Sequence, residues 1–123
     1  SPEAVRHHFR LLRDGLLAWM SGKSQPDRMP AYADFVAGVA DALTRARAHA
    51  EAQVLIVSSG GPISTAMGLV LGLSPEAVVD LNLRIRNSAV TEFHASPKRH
   101  SLLTFNTLPH LDHPDHAGWI TYA

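Results

Sequence analysis

Residues 53–73 read QVLIVSSGGPISTAMGLVLGL, an apolar run followed by a glycine turn and a second apolar run. Val54 to Val57 are consecutive large or β-branched aliphatic residues, a pattern typical of a strand that is covered on both faces in a parallel sheet. Pro62 suits the first turn of a helix, and Gly72 is a typical residue to end it. The stretch therefore predicts a strand, a turn and a helix over 53–72, and with it an α/β fold whose sheet is mostly parallel.

The turn in this unit has the composition of a phosphate-binding loop. Backbone N–H groups at the start of a helix have no intrahelical acceptor, and the helix places partial positive charge there. The groups expected to face a phosphate are the backbone N–H groups of Gly60, Gly61, Ile63 and Ser64 and the hydroxyls of Ser58, Ser59 and Ser64. A plain strand-to-helix turn is also glycine-rich, so that alternative stays open. The loop matches neither Gly-x-Gly-x-x-Gly, nor Gly-x-x-x-x-Gly-Lys-Ser, nor Gly-x-Ser-x-Gly, so the sequence does not support a nucleotide fold or a serine hydrolase.

The rest of the chain predicts further helices and a hairpin within a single domain of 123 residues. Apolar residues recur at steps of three or four in two segments, and period-two alternation follows in two others. The expected elements are helices at about 2–20 and 31–50, a short helix after Ser74, strands at about 85–94 and 101–105, and a tail at 106–123 with a possible final strand in WITY.

Composition excludes several classes of function. Eleven basic and eleven acidic residues leave no net charge and no basic stripe, which argues against nucleic acid as a partner. The chain has no cysteine, so it has no thiolate nucleophile and no disulfide. Its apolar runs are too short to span a membrane and its start lacks the pattern of a signal peptide. We expect a cytoplasmic protein without a membrane partner.

The tail contains HLDHPDH, with His110, His113 and His116 at steps of three. Histidine and aspartate are metal ligands, so a metal site is one interpretation of this segment. Pro114 interrupts any helix that would bring the three rings to one face. The spacing favours a polar tail, and we expect neither a metal nor a cofactor.

Several segments together resemble the histidine phosphatase superfamily, the phosphoglycerate mutase-like proteins. VLIVSSGGPISTAMGLVLGL is similar to the second core motif of that family, in a branch that reads Ser-Gly-Gly-Pro-Ile. YADFVAGVADALTRARAHA, RNSAVTEF and LLTFNTLPHL follow the order of the family's C-terminal half. The resemblance implies a three-layer αβα fold, incomplete here, and a phosphoryl group bound by Ser58, Ser59, Gly60 and Gly61.

The same resemblance implies that this chain contains no catalytic residue. Family members use the histidine of an N-terminal Arg-His-Gly motif as the nucleophile, and no such motif occurs here. Ser59 stands at the position of the family's second histidine. The chain begins Ser1-Pro2-Glu3 without a methionine, so we expect a fragment whose parent acts on a phosphate monoester, as a phosphatase or mutase, through an upstream phosphohistidine.

Two functional hypotheses follow. In the first, this chain binds a small phosphorylated molecule, is inactive alone, and associates with the missing N-terminal portion. In the second, it is a non-catalytic phosphate-binding or dimerisation module, a pseudo-phosphatase that pairs with a second copy because its incomplete sheet leaves an edge exposed.

Overall fold

The structure is a computed structural model that describes residues 1–49 and 52–122. Helices dominate the described chain, and a single hairpin follows them. The elements are α1 (Pro2–Met20), α2 (Tyr32–Arg47), α3 (Gly60–Leu71), α4 (Pro75–Asn82), β1 (Val90–Ala95), β2 (His100–Thr107) and two short 3-10 helices at Pro109–Leu111 and Pro114–Trp119. Within the described residues, no helix is long and apolar enough to cross a bilayer.

Local capping signals explain where the helices begin and end. The Ser1 hydroxyl accepts a hydrogen bond from the Ala4 amide at 3.2 Å, and Ser74 caps α4 in the same way through the amide of Ala77 at 3.2 Å. Gly72 ends α3 in the left-handed conformation, with φ of 69°, which a residue with a Cβ adopts less readily. These ends lie where the sequence predicts them.

The predicted hairpin is present, with shifted bounds. β1 and β2 pair antiparallel, and Ala95 lies opposite His100 next to the turn. Residues 85–89, predicted as part of the first strand, lie outside β1, and Ser88 has a φ of 62°, which interrupts an extended strand. The predicted final strand is reduced to an isolated bridge between Arg86 and Tyr122.

The predicted strand at 54–57 is absent as a strand. Residues 53–59 belong to no helix and no sheet, and the two most exposed side chains, Leu55 and Val57, are 86% and 90% exposed. Consequently the prediction of a mostly parallel sheet is not supported, since the sheet of the described residues is the antiparallel hairpin alone. The physical reason is that a strand needs a partner for its backbone groups, and none of the described segments pairs with this one.

A small core forms where α3 packs on α2 and α4, and α4 packs on α1. Trp19, Met67 and Val79 are buried there. The contact between α3 and α4 is very close at Gly68, where an added Cβ would lie 2.6 Å from Cγ2 of Val78. An ion pair between Arg13 and Asp80 joins α1 to α4 at the surface. This arrangement fixes the N-terminal end of α3, where the predicted phosphate loop lies.

Candidate functional site

The predicted phosphate loop leads into the first turn of α3. Ser59 is extended, with φ of −124° and ψ of 176°, and helical conformation begins at Gly60. The Ile63 amide donates to the Ser59 carbonyl at 3.1 Å, so it is occupied within the helix, contrary to the expectation that it would face a ligand. The remaining donors of this turn are the N–H groups of Gly60 and Gly61, because Pro62 has none.

The three serines of the loop have different environments. Ser58 and Ser59 are exposed, and the Ser59 side chain makes no capping hydrogen bond to α3. Ser64 is 1% exposed and its hydroxyl donates to the Gly61 carbonyl at 3.0 Å. The expectation that Ser64 would face a phosphate is therefore wrong, because its hydroxyl is directed back into the helix, as serine hydroxyls often are.

Gly60 lies close to the side chain of Asn82 at the end of α4. A Cβ added at Gly60 would lie 2.6 Å from Oδ1 of Asn82, so only glycine permits this approach without a shift. Asn82 also lines the cavity beside the loop. Sequence reasoning did not find this residue, since it is distant in the chain and its neighbours form no recognisable motif.

A cavity of about 270 Å³ adjoins the loop and extends among the four helices. Its aromatic wall is built on Trp19, whose ring lies 5.2 Å from that of Tyr32 and 5.4 Å from that of Phe35. The indole N–H of Trp19 donates to the Pro30 carbonyl at 3.1 Å, which ties the connection between α1 and α2 to this wall. Burial raises the pKa of the Tyr32 phenol, so this side chain stays a neutral hydroxyl at physiological pH.

Among the residues that the structure describes, none in the loop or in the cavity lining has a charged side chain. Residues 58–64 read SSGGPIS, and the residues that line the cavity include no Asp, Glu, Lys, Arg or His. The site can bind an anion through backbone N–H groups and neutral hydroxyls. It has no general base, and a serine at position 59 cannot supply the positive charge of an imidazolium. These groups suit binding and positioning rather than nucleophilic attack.

The three tail histidines, His110, His113 and His116, contact different partners. The rings of His113 and His116 lie 5.6 Å apart, but Nδ1 of His113 accepts from the Asp115 amide at 3.1 Å and His116 stacks on Trp119 at 4.3 Å. His110 contacts the Ser88 hydroxyl at 2.9 Å. Across residues 1–49 and 52–122, no three His, Cys, Asp or Glu side chains are grouped to hold a metal ion.

Comparison with known proteins gives one finding. A family model described as "Histidine phosphatase superfamily (branch 1)" matches residues 2–108. This match includes all four α-helices, the loop and the hairpin, and leaves out the histidine-rich tail. No curated protein matches the chain, and no solved structure does.

Proposed function

Since the chain belongs to the histidine phosphatase superfamily, we propose that residues 58–61 bind the phosphoryl group of a small phosphate monoester. The Gly60 and Gly61 N–H groups donate to its oxygens, and the exposed hydroxyls of Ser58 and Ser59 add neutral donors. One observation carries the proposal. Ser59 lies within the family match and at the N-terminus of α3, and its hydroxyl makes no capping hydrogen bond.

Electrostatics support the same assignment. The start of α3 carries the partial positive charge of the helix dipole, and its first turn contains no acidic residue. A dianionic phosphoryl group therefore meets attraction without a neighbouring carboxylate to repel it. Because the segment before the helix is exposed, much of that attraction is screened by water, so we expect weak binding, with a dissociation constant on the order of millimolar.

A binding experiment tests this assignment on the 123-residue chain. Titration with inorganic phosphate, followed by amide NMR, is expected to shift the Gly60 and Gly61 signals saturably and to leave Gly118 unchanged. Ser59→Ala is expected to weaken binding roughly three- to tenfold through loss of one hydrogen bond. Ser101→Ala, at an exposed serine of β2, is the matched control. Unchanged loop signals at saturating phosphate would refute the assignment.

Catalysis in the parent protein is proposed to depend on a histidine outside residues 1–123. That histidine forms the phosphohistidine, the parent acts as a phosphatase or mutase on a phosphate monoester, and this chain supplies part of the phosphoryl pocket. The chain alone is then inactive, because nucleophilic catalysis needs an activated nucleophile that residues 58–64 lack. Turnover of p-nitrophenyl phosphate by the purified chain, above a heat-denatured control and free of contaminating enzyme, would overturn this part.

The unpaired segment 53–57 favours a second candidate function, association through a β-strand. A folded monomer of 13.3 kDa is expected to expose about 6,500 Å². This chain exposes 8761 Å², about 2,300 Å² more than that expectation. An excess of this size matches the area buried in permanent interfaces. The segment is thus proposed to pair with a strand from a second copy, or from polypeptide outside residues 1–123, and so to belong to the sheet layer of a three-layer αβα fold.

Solution mass separates these partners. If copies pair, light scattering after gel filtration gives a mass above 13.3 kDa, and Leu55→Asp returns it to the monomer value. Leu103→Asp is the control, because Leu103 is exposed on the hairpin, away from the segment. A monomeric unaltered chain would exclude pairing between copies and would leave a segment outside residues 1–123 as the proposed partner.

A further inference from the structure

We propose that the cavity beside the phosphate loop holds the ester group of the bound monoester, and that this group is uncharged and aromatic. The inference rests on the proposed phosphate site and narrows its substrate class to aryl or similar apolar monophosphates. Sugar phosphates and phosphoglycerates, which carry hydroxyls or a second charge, are then poor ligands.

The proposed phosphate-binding residues 58–61 and the cavity share two residues. Ser59 and Gly61 stand at the N-terminal end of α3, and both also line the cavity. A phosphoryl group at the N–H groups of this turn therefore lies at the mouth of the cavity. The organic part of the same molecule can enter the cavity without a change in the protein backbone. The phosphate loop and the cavity are then two parts of one binding site.

The cavity walls select for apolar groups. Beyond the aromatic wall of Trp19, Tyr32 and Phe35, the lining includes the aliphatic or thioether side chains of Leu16 and Met20. None of the described lining residues carries a positive charge to pair with a second anionic group of the ligand, and burying such a charge unpaired is costly. Aromatic rings in contact with a bound ring add edge-to-face attraction to the gain from burial.

Half of the six polar side chains in the lining already donate to backbone carbonyls, the Trp19 indole among them. The hydroxyls of Ser64 and Thr65 donate to the Gly61 carbonyl at 3.0 Å and 2.8 Å. A polyhydroxylated ester group would thus lose its water and find only part of the polar lining free to replace it, which lowers its affinity. An apolar ester group makes no hydrogen bonds to water, so it loses none when it enters the cavity.

The cavity volume limits the size of that group. An apolar cavity of about 150 Å³ accommodates benzene, and this one measures about 270 Å³. One aromatic ring with substituents, or two fused rings, fills it. Larger ester groups would have to leave part of their surface outside.

Fluorescence of Trp19 reports directly on the cavity. The chain has two tryptophans, and Trp119→Phe removes the exposed one in the tail, so that Trp19 alone emits. In this background, phenyl phosphate is expected to change the emission and to bind roughly tenfold or more tightly than glycerol 3-phosphate. Inorganic phosphate is expected to shift the Gly60 and Gly61 amide signals without changing the emission.

A substitution at the cavity rim separates apolar contact from phosphate contact. Met29 lines the cavity and is partly exposed, so Met29→Gln places a polar amide against the bound ring without opening the core. It is expected to reduce the ratio of phenyl phosphate affinity to inorganic phosphate affinity severalfold. Leu103→Gln makes a similar change on β2, far from the lining residues in sequence and outside the cavity, and is expected to keep that ratio.

The outcomes distinguish this inference from the function on which it rests. Binding of inorganic phosphate at the loop, with phenyl phosphate no tighter than glycerol 3-phosphate, would overturn the aromatic ester group and leave the phosphate site standing. The same holds if Met29→Gln and Leu103→Gln change the affinity ratio alike. If none of the three phosphates shifts the Gly60 and Gly61 signals, the phosphate site fails and the inference fails with it.

Discussion

Gly68→Ala should destabilise the chain, although alanine is the better helix former. Gly68 lies inside α3, and an alanine Cβ there would lie 2.6 Å from Cγ2 of Val78, about 1 Å closer than carbon atoms pack. Val78 is buried at 7% exposure and β-branched, so its side chain has few other rotamers to adopt. Relief of the clash must come from moving α3 and α4 apart.

The expected size follows from two opposing terms. Replacing a helical glycine with alanine gains about 1 kcal/mol of intrinsic helix stability, whereas forcing a methyl group into a packed contact costs about 1–3 kcal/mol. The net loss is about 1 kcal/mol, taking a clash near the middle of that range. Gly15→Ala is the matched control: Gly15 lies inside α1, and nothing stands within 4 Å of its added Cβ. It should stabilise by up to about 1 kcal/mol.

Urea denaturation followed by far-ultraviolet circular dichroism measures both variants under the same conditions. The informative quantity is the difference between them, about 1–3 kcal/mol, because the gain in helix propensity is common to both. Val78→Ala provides a further check, since combining it with Gly68→Ala should cost less than the sum of the single changes. If Gly68→Ala stabilised as much as Gly15→Ala, the close packing of α3 on α4 would be wrong.

Two further predictions concern the hairpin. Asn106 has a φ of 60°, and its side chain forms hydrogen bonds of 2.8 and 2.9 Å with the backbone of residues 84–86. Asn106→Ala should therefore lower the free energy of unfolding, measured by urea denaturation, by about 2–3 kcal/mol. Asn106→Gly should lower it less, because glycine tolerates the positive φ. Burial, and secondarily the charge of Arg47, lowers the pKa of His100 below 6.5. The unfolded chain therefore binds this proton more readily than the folded chain does. The contribution of His100 to the free energy of unfolding is complete above pH 6.5 and is lost as the pH falls from 6.5 toward the pKa of the folded state. An NMR titration should give a midpoint below 6.5 that Arg47→Gln raises only in part, and a midpoint of 6.5 or higher in the unaltered chain would contradict this.

Local signals in the sequence predicted most of the helical architecture. Ser1, Ser74 and Gly72 act within one turn of their own helix, so the caps they form do not depend on the rest of the fold. The start of α3 at Gly60 is local in the same sense, and so is the hairpin turn. The family match over residues 2–108 confirms the resemblance that these ordered segments indicated.

Non-local relations account for what the sequence did not predict. Whether Val54 to Val57 form a strand depends on a partner for their backbone groups, and apolar content alone cannot supply one. The approach of Asn82 to Gly60 depends on how α4 crosses α3, which no spacing encodes. The hydroxyl of Ser64 could face a ligand or the preceding turn, and only the helical geometry decides in favour of the Gly61 carbonyl.

The exposed run at 53–57 also bears on how the chain behaves at high concentration. Segments of six or seven residues with high β-propensity and no charge are those that stack into cross-β fibrils, and QVLIVSS has that composition. Charged or proline gatekeepers normally border such segments, and here Glu51 precedes the segment and Pro62 follows it without interrupting it. A strand that pairs with residues 53–57 therefore also prevents fibril nucleation. The rate at which the isolated chain aggregates would then report the fraction of chains in which this segment is unpaired.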